Sequence, residues 1–401
     1  MKIFLKVFSF DLASKILIGI VGILLIRYMS VKEYASFTLI ISFATFISQA
    51  INQTFNRLYI LSDHDKKKQC SLSFLMFQII FLLLIFLFGI LFYKKQSYQS
   101  YLIALSLIIT GCFFDFSKTF YQKKLQFNIF SFIEVFRSFL YVIFSGYILY
   151  FFRNSVTANS IIMTQSASYF LVAFGALFKH LKQCKSKLVD DFKFYIHEIV
   201  SSHQLYLLAY FFIISIFAQV DVFMLKILVG DFELATYGSA FRYYAILSLG
   251  LSTIHSVIFP MIKSSTNSKK LNEVFNKHSK LIIPFALLSL IFALLGHFII
   301  PFIDHGRYFD ASSVFSILSA SAIVSFICSP HVNFLMVHKR FFYLFSLSCF
   351  CLLAHIIMCL IFIPIYGAIG AAISTLLASA MVTVSIYVLS RKMLLEFNLP
   401  K

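Results

Sequence analysis

The sequence has no tryptophan and few charged residues. Charged side chains make up 12% of its 401 residues, about half the share found in soluble proteins, and this excludes an ordinary water-soluble domain. Acidic residues are the scarcest charge, with 16 against 34 lysines and arginines, so the formal net charge is +18. Tyrosines such as Tyr28, Tyr93 and Tyr147 stand near the ends of apolar runs, the interfacial position that tryptophan usually shares with tyrosine.

Cysteine and histidine show no pattern typical of a disulfide framework, a metal site or a catalytic site. Five of the seven cysteines fall in apolar runs, and Cys70 and Cys184 fall in loops predicted to face the reducing side of the membrane, so we expect no external disulfide. His255, His297 and His355 stand in separate runs. We therefore predict a protein that is not an enzyme and holds no resident cofactor.

Twelve long apolar runs divide the chain, and they predict its fold class. Each is long enough to cross a hydrocarbon core about 30 Å thick as a helix, and a backbone in lipid must bond to itself. The sequence therefore predicts an all-α polytopic membrane protein with about twelve transmembrane helices. The predicted spans are approximately 8–28, 34–61, 71–93, 98–121, 127–152, 156–178, 203–229, 234–262, 280–303, 311–337, 341–363 and 366–390.

Lysine and arginine concentrate in every second loop. The basic loops include residues 66–68, 179–193 and 263–280, whereas the loops between them carry few cations, such as Lys95 and Arg307. Because basic loops stay in the cytoplasm, we predict that both termini are cytoplasmic. This topology and the attraction to anionic membrane lipids explain the positive charge without a nucleic-acid partner.

The twelve spans divide into two sets of six. We predict an amino-terminal six-helix lobe over 1–180, a cytoplasmic linker over 181–202, and a carboxy-terminal six-helix lobe over 203–401. Within the linker, aromatic residues such as Phe192 and Tyr195 beside Lys193 predict a short interfacial helix. Two equal bundles suggest a central cavity at the lobe interface and transport by alternating access.

Ionisable residues inside the spans are the candidate functional residues, because each is costly in a membrane. Asp115 and Lys118 in the fourth span, and Glu134 and Arg137 in the fifth, are each three residues apart and share a helix face. Asp115 and Glu134 are equally far from the intervening turn, so the two pairs should meet at similar depth. We predict a mutually neutralising structural network of these four residues.

A second set lies in the seventh and eighth spans. Asp221 and Arg242 are at similar depth on either side of the loop 230–234. Arg242 is either the counter-ion of Asp221 or the receptor for an anionic ligand, and the sequence leaves both readings open. Lys15 and Arg57, nearer the cytoplasmic ends of the first and second spans, either snorkel to the interface or line the cavity.

Several segments resemble the flippases that move lipid-linked O-antigen or capsule units, a family within the multidrug, oligosaccharidyl-lipid and polysaccharide exporter superfamily. The segments 219–225, 236–242 and 257–262 are similar to that family's seventh and eighth helices. Residues 27–35, with Ala35 where glycine is usual, are similar to the end of its first helix, and residues 363–372 to the loop before its twelfth.

The resemblance implies a function, a location and a site. It implies translocation of undecaprenyl-diphosphate-linked oligosaccharide repeat units from the cytoplasmic to the periplasmic leaflet of a bacterial inner membrane, beside other polysaccharide assembly proteins. In the related lipid II flippases an arginine that matches Arg242 helps bind diphosphate, so we expect substrate binding at Arg242 with Asp221, and less strongly at Arg27, Lys15 and Arg57. A coupling ion would be a proton or sodium.

Two alternatives remain. A multidrug exporter of the same superfamily usually depends on a carboxylate deep in the amino-terminal lobe; Asp115 and Glu134 qualify by position, but each has a basic residue three positions away. A polysaccharide polymerase would carry its chemistry on a large external loop, whereas the predicted outer loops, such as 94–97 and 304–310, are short.

Overall fold

The described part of the chain is helical throughout. A computed structural model describes residues 2–61, 75–76, 78–80, 82–83, 98–124, 126–181, 204–263, 265 and 268–398, and no strand occurs among them. This confirms the all-α fold class. The helices are α1 (Lys2–Tyr28), α2 (Val31–Leu61), α3 (Tyr98–Lys123), α4 (Phe127–Phe151), α5 (Ala158–Leu181), α6 (Gln204–Phe217), α7 (Val220–Leu228), α8 (Asp231–Lys263), α9 (Ser268–Ile303), α10 (Ala311–Val337) and α11 (Phe341–Asn398), with a short 3₁₀ turn at Arg153–Ser155.

Within the described residues, eight helices are long and apolar enough to cross a membrane, and a bent pair makes a ninth candidate. That pair is α6 and α7, which meet at 43°. The sequence predicted one continuous span over 203–229, and this detail was wrong. The backbone N–H of Gln219 bonds to the carbonyl of Ile216, and the break places Asp221 in the first turn of α7, where the partial positive charge of a helix end favours a carboxylate.

Helix α11 contains the last two predicted spans, 341–363 and 366–390, separated by a kink. Gly367 lies at the kink with φ 56° and ψ −130°, a backbone conformation that residues with a β-carbon rarely adopt. Pro364 precedes it and cannot donate a backbone hydrogen bond. The pattern of proline followed by glycine therefore marks the end of one membrane helix and the start of the next.

The chain forms two compact units, Met1–Ser215 and Ile216–Lys401. In the first unit α1 packs on α4, and α3 packs on both α2 and α5. In the second unit α10 packs against α8, α9 and α11. The lobe boundaries 1–180, 181–202 and 203–401 stay a prediction. The linker, in which a short interfacial helix is predicted, lies outside the described residues except for residue 181.

Candidate functional site

Glu134 of α4 is the centre of a charged cluster in the first unit. Its carboxylate accepts hydrogen bonds from Lys118 Nζ at 2.6 Å and from Arg137 Nη2 at 2.5 Å, and from Ser14 of α1 at 3.3 Å. The sequence predicted that these two cations would meet this carboxylate, and the structure brings the three together. Asp115, the fourth member of the predicted network, is hydrogen-bonded elsewhere.

Aromatic rings make cation–π contacts with the two cations in this cluster. The ammonium of Lys118 lies 4.7 Å from the ring centre of Phe130, and the guanidinium of Arg137 lies 5.0 Å from the ring of Tyr169. Such contacts stabilise a cation that has left water. They explain how one carboxylate can hold two cations within an apolar bundle.

Asp115 of α3 has an amide partner. Asn52 of α2 donates a hydrogen bond to Asp115 Oδ2 at 2.5 Å, and Gln78 donates to Asn52 Oδ1 at 2.7 Å. Asp115 and Asn52 also line a cavity of about 290 Å³ between α2, α3 and α5. The sequence analysis did not single out the two amides, although polar side chains within apolar spans were the signal that could have found them.

Asp221 of α7 is the centre of a buried cluster in the second unit. Its Oδ2 accepts hydrogen bonds from Tyr237 at 3.0 Å and Thr375 at 2.7 Å, and its Oδ1 lies 3.0 Å from His355 Nε2 and 3.4 Å from Cys359 Sγ. The five side chains come from α7, α8 and both parts of α11. They connect three helices through one carboxylate.

By donor type, Asp221, His355 and Cys359 could hold a metal ion, since one ligand atom from each lies within 4.8 Å of the others. In the structure His355 and Cys359 are hydrogen-bonded to the carboxylate of Asp221. Tyr237 and Thr375 bond to its other oxygen. His355 and Cys359 are four residues apart and share a helix face. The spacing of His355 and Cys359 is visible in the sequence, but the two residues were not connected there.

The pairing of Arg242 with Asp221, one of the two roles that the sequence left open, is not found among the described residues. Both carboxylate oxygens of Asp221 are bonded to the other four side chains. On α8, Tyr237 points at Asp221, and Arg242 follows five residues later, about 140° around a helix of 3.6 residues per turn. Equal depth in two neighbouring helices therefore did not mean contact.

Arg242 lies instead close to the segment that follows α9. Its α8 neighbours Ser239 and Tyr243 donate hydrogen bonds to Asp304 at 2.6 and 2.8 Å. Burial raises the pKa of Tyr308; the positive charge of Arg307 opposes this shift, Asp304 adds to it, and Arg242 opposes it more weakly. The half-buried Arg242 thus belongs to a polar group containing Asp304 and Tyr308, which the sequence analysis had assigned to an outer loop.

The other three predicted substrate-binding residues lie in α1 and α2. Lys15 is exposed on α1 next to Ser14, the residue that bonds to Glu134. Arg27 is exposed in the last turn of α1. Arg57 lies in α2, but its side chain is outside the described part of the structure.

Sequence comparison with known proteins finds no match: no family model fits the chain, and no curated protein does. Solved structures do match. A lipid II flippase, MurJ, in an inward closed conformation superposes with a TM-score of 0.73 at 17% identity, covering 97% of this chain and 89% of that one. The fold is shared.

Two transporters of the MOP superfamily match over similar lengths. A multidrug resistance MATE family transporter in an inward-facing conformation has a TM-score of 0.66 at 12% identity, with 97% of this chain and 94% of that one covered. A transporter from Pyrococcus furiosus, described as having a binding pocket of reverse polarity, has a TM-score of 0.63 at 11% identity, with 99% and 94% covered. This multi-pass membrane fold therefore carries different functions in proteins of very different sequence.

Proposed function

We propose that the protein is a flippase for polyprenyl-diphosphate-linked oligosaccharide units of O-antigen or capsule. It moves them from the cytoplasmic to the outer leaflet of a bacterial inner membrane, by alternating access between two lobes and with both termini in the cytoplasm. The fold shared with a lipid II flippase and the sequence resemblance to oligosaccharide flippases support this. Its partners are the lipid-linked substrate, membrane lipids and other proteins of polysaccharide assembly.

The chemistry of the substrate demands a cation within the membrane. A diphosphate-linked sugar head cannot cross hydrocarbon unaided, because moving its charge out of water costs far more than any contact with lipid returns. Arginine suits diphosphate because its planar guanidinium can donate two parallel hydrogen bonds to phosphate oxygens. An arginine in a membrane helix is itself costly, by about 2.5–3.5 kcal/mol.

The observation that carries the proposal is the complete shell around Asp221. Tyr237, Thr375, His355 and Cys359 supply its partners, so this carboxylate does not need Arg242 as its counter-ion. Of the two roles that the sequence left open for Arg242, we propose the binding of an anionic ligand, because residues 236–242 resemble the flippase helix whose arginine helps bind diphosphate. Arg242 is the diphosphate-binding residue of the second unit, and Asp221 stabilises the helices around it.

Substitution of Arg242 tests this assignment. Arg242→Ala should reduce surface polysaccharide more than tenfold at matched membrane abundance, and Arg242→Lys should restore only part, since a point charge loses the two-bond geometry. The double change Asp221→Asn with Arg242→Gln should be as inactive as Arg242→Ala. The exposed Arg340 provides the control, because Arg340→Ala should be normal. Normal polysaccharide in Arg242→Ala, or an active double variant, would contradict the proposal.

A multidrug exporter is the second candidate, favoured by the MATE-like fold and by the fact that Asp115 is bonded to an amide rather than to a cation. Deleting the gene discriminates the two. A flippase deletion removes surface polysaccharide and leaves the accumulation of cationic drugs unchanged, and an exporter deletion does the reverse. The polymerase alternative, an enzyme, is not favoured by the likeness to transporter structures.

A further inference from the structure

The cavity in the first unit is lined by polar residues from three apolar helices. On α2, Ser48, Gln49 and Asn52 follow one another at helical spacing and face the cavity; α3 contributes Asp115, and α5 contributes Gln165 and Tyr169. Residues spaced by three or four positions share a helix face. Polar groups at this density are costly in a membrane helix bundle unless they are hydrated or bound to a ligand.

A chain of amides fixes Asp115 as a hydrogen-bond acceptor. Gln78 donates to the amide oxygen of Asn52, and the amide NH₂ of Asn52 donates to Asp115, so the contact of Asn52 with Asp115 is fixed as a donor contact. The buried Oε1 of Gln78 has no hydrogen-bond partner among the described residues, which is the cost of orienting the chain in this direction. A carboxylate held in this way accepts further hydrogen bonds from hydroxyl donors.

Among the described residues, no cation lines this cavity. The nearby Lys118 and Arg137 are bonded to Glu134, and the guanidinium of Arg137 lies 5.0 Å from the ring centre of the lining residue Tyr169. A cavity with one carboxylate and otherwise neutral polar groups repels an anion such as diphosphate. It suits a ligand that is rich in hydroxyl groups and uncharged.

The size of the cavity limits the ligand further. A volume of about 290 Å³ is at the low end of small-molecule pockets and holds about ten water molecules at roughly 30 Å³ each. This suits one sugar ring, not a whole oligosaccharide. Amide side chains such as Gln49 and Gln165 both donate and accept, as each sugar hydroxyl does.

We propose that this cavity is a subsite for one neutral sugar residue, with Asp115, Asn52, Gln49 and Gln165 as its hydrogen-bonding groups. That the sugar belongs to a lipid-linked oligosaccharide rests on the proposed function; that the cavity binds a neutral sugar ring does not. The subsite binds hydroxyl groups, and the carboxylate of Asp115 disfavours diphosphate there.

The absence of tryptophan from the sequence allows a direct binding test. Gln53 lines the cavity and is exposed, so the full-length Gln53→Trp variant carries a single indole there. It is placed in lipid nanodiscs, since glycoside detergents carry sugar themselves. Fluorescence is then titrated with methyl glucoside, methyl galactoside and methyl mannoside, and separately with sodium chloride, tetraphenylphosphonium and inorganic diphosphate.

We expect a saturable fluorescence change with at least one hexoside and none with diphosphate. In the same background, Asp115→Asn should weaken the hexoside at least tenfold, because charge-assisted hydrogen bonds are lost. Gln165→Ala should also weaken it and serves if Asp115→Asn does not fold. Gln126→Ala, which removes an exposed glutamine between α3 and α4, should change nothing.

Three results would overturn the subsite: no response to any hexoside, a response only to sodium or tetraphenylphosphonium, or a response to diphosphate. These failures are distinct from failure of the proposed function. Hexoside binding in a protein whose gene deletion leaves surface polysaccharide intact would refute the flippase and retain the sugar site. Loss of polysaccharide in Arg242→Ala without hexoside binding would refute only the sugar site.

Discussion

Glu33 and Glu233 make the same contact in the two compact units. Each lies in the first turn of its helix, α2 or α8, and its Oε2 accepts a hydrogen bond of 2.7 Å from the backbone N–H of an alanine. The alanines are Ala158 at the start of α5 and Ala368 just after the kink of α11. Each carboxylate thus caps a helix that begins more than a hundred residues later. No internal repeat was recognised in the sequence, and the equivalence of the two contacts appears only in the structure.

Removing the charge of these caps should destabilise the protein. Glu33→Gln or Glu233→Gln should each cost about 1 kcal/mol, since a carboxylate at a helix N-terminus satisfies a free N–H and interacts favourably with the helix dipole. Thermal unfolding of the purified protein in nanodiscs should show a Tm lowered by about 2–4 °C for such a loss. Glu273→Gln, at an exposed position of α9, is the control; an equal shift there would argue against a capping role.

The cluster around Glu134 should respond to substitution as a unit of three. Glu134→Ala should lower membrane abundance several-fold, because Lys118 and Arg137 would both remain buried without their carboxylate. From the sequence alone, replacing Glu134 and Arg137 by apolar residues should restore much of it. The bond from Lys118 to Glu134 changes that expectation, since the double variant still leaves one cation unpaired.

The triple variant Lys118→Met, Glu134→Leu and Arg137→Met should therefore recover more abundance than the double variant, as quantified by immunoblot of membranes. Replacement of a whole buried ionic group by apolar side chains is often tolerated. If Glu134→Ala is abundant but leaves the cell without surface polysaccharide, the cluster acts in transport instead.

Substitution of Asp221 should destabilise the protein, because four side chains bond to its carboxylate. In Asp221→Asn an amide NH₂ would face at least one of the donors from Tyr237, Thr375, His355 and Cys359, and a buried donor without an acceptor costs about 1–3 kcal/mol. Thermal unfolding should show a clearly lower Tm. Asp231→Asn is the matched control, because Asp231 makes a partly exposed ion pair with Lys226 and such pairs contribute little. An unchanged Tm in Asp221→Asn would show that the cluster does not stabilise the fold.

Reporter fusions test the predicted topology. Fusions at Lys66, Lys182 and Lys270 and at both termini should report the cytoplasm, and fusions at Lys95 and Arg307 should report the outside, because basic loops are retained on the inner side. Alkaline phosphatase and green fluorescent protein give opposite signals on the two sides. Reporters at Lys182 and Lys95 on the same side would be incompatible with twelve spans.

The sequence predicted what depends on local composition. Apolar runs predicted the helices, and the predicted boundary between spans 341–363 and 366–390 falls at the kink of α11, because these signals act within one or two turns. The partners of Asp221 could not be predicted in the same way. His355 and Thr375 approach it from 134 and 154 residues away, and which face of a membrane helix meets which neighbour depends on packing that a single sequence does not display.

The polar stripe of α2 could be predicted in part from the sequence. Ser48, Gln49 and Asn52 have helical spacing that is visible in the sequence, and the stripe predicts a wet or ligand-binding face. Their convergence with Asp115 and Gln165 needed the packing of α2, α3 and α5. The candidate residues chosen from the sequence were all charged, so the neutral residues Gln49, Asn52 and Gln165 of the cavity were missed.

The partners of Asp221 are synthesised at different times during translation. Asp221 and Tyr237 are 16 residues apart, so this first bond can form as soon as the hairpin of α7 and α8 has been made. Thr375 is 154 residues away, and at about 5–20 residues per second the ribosome needs roughly 8–30 s to reach it. Until His355 is made, 134 residues after Asp221, the carboxylate has one of its four partners, and until Thr375 is made its shell is incomplete. The nascent second half is then most exposed to membrane chaperones and proteases.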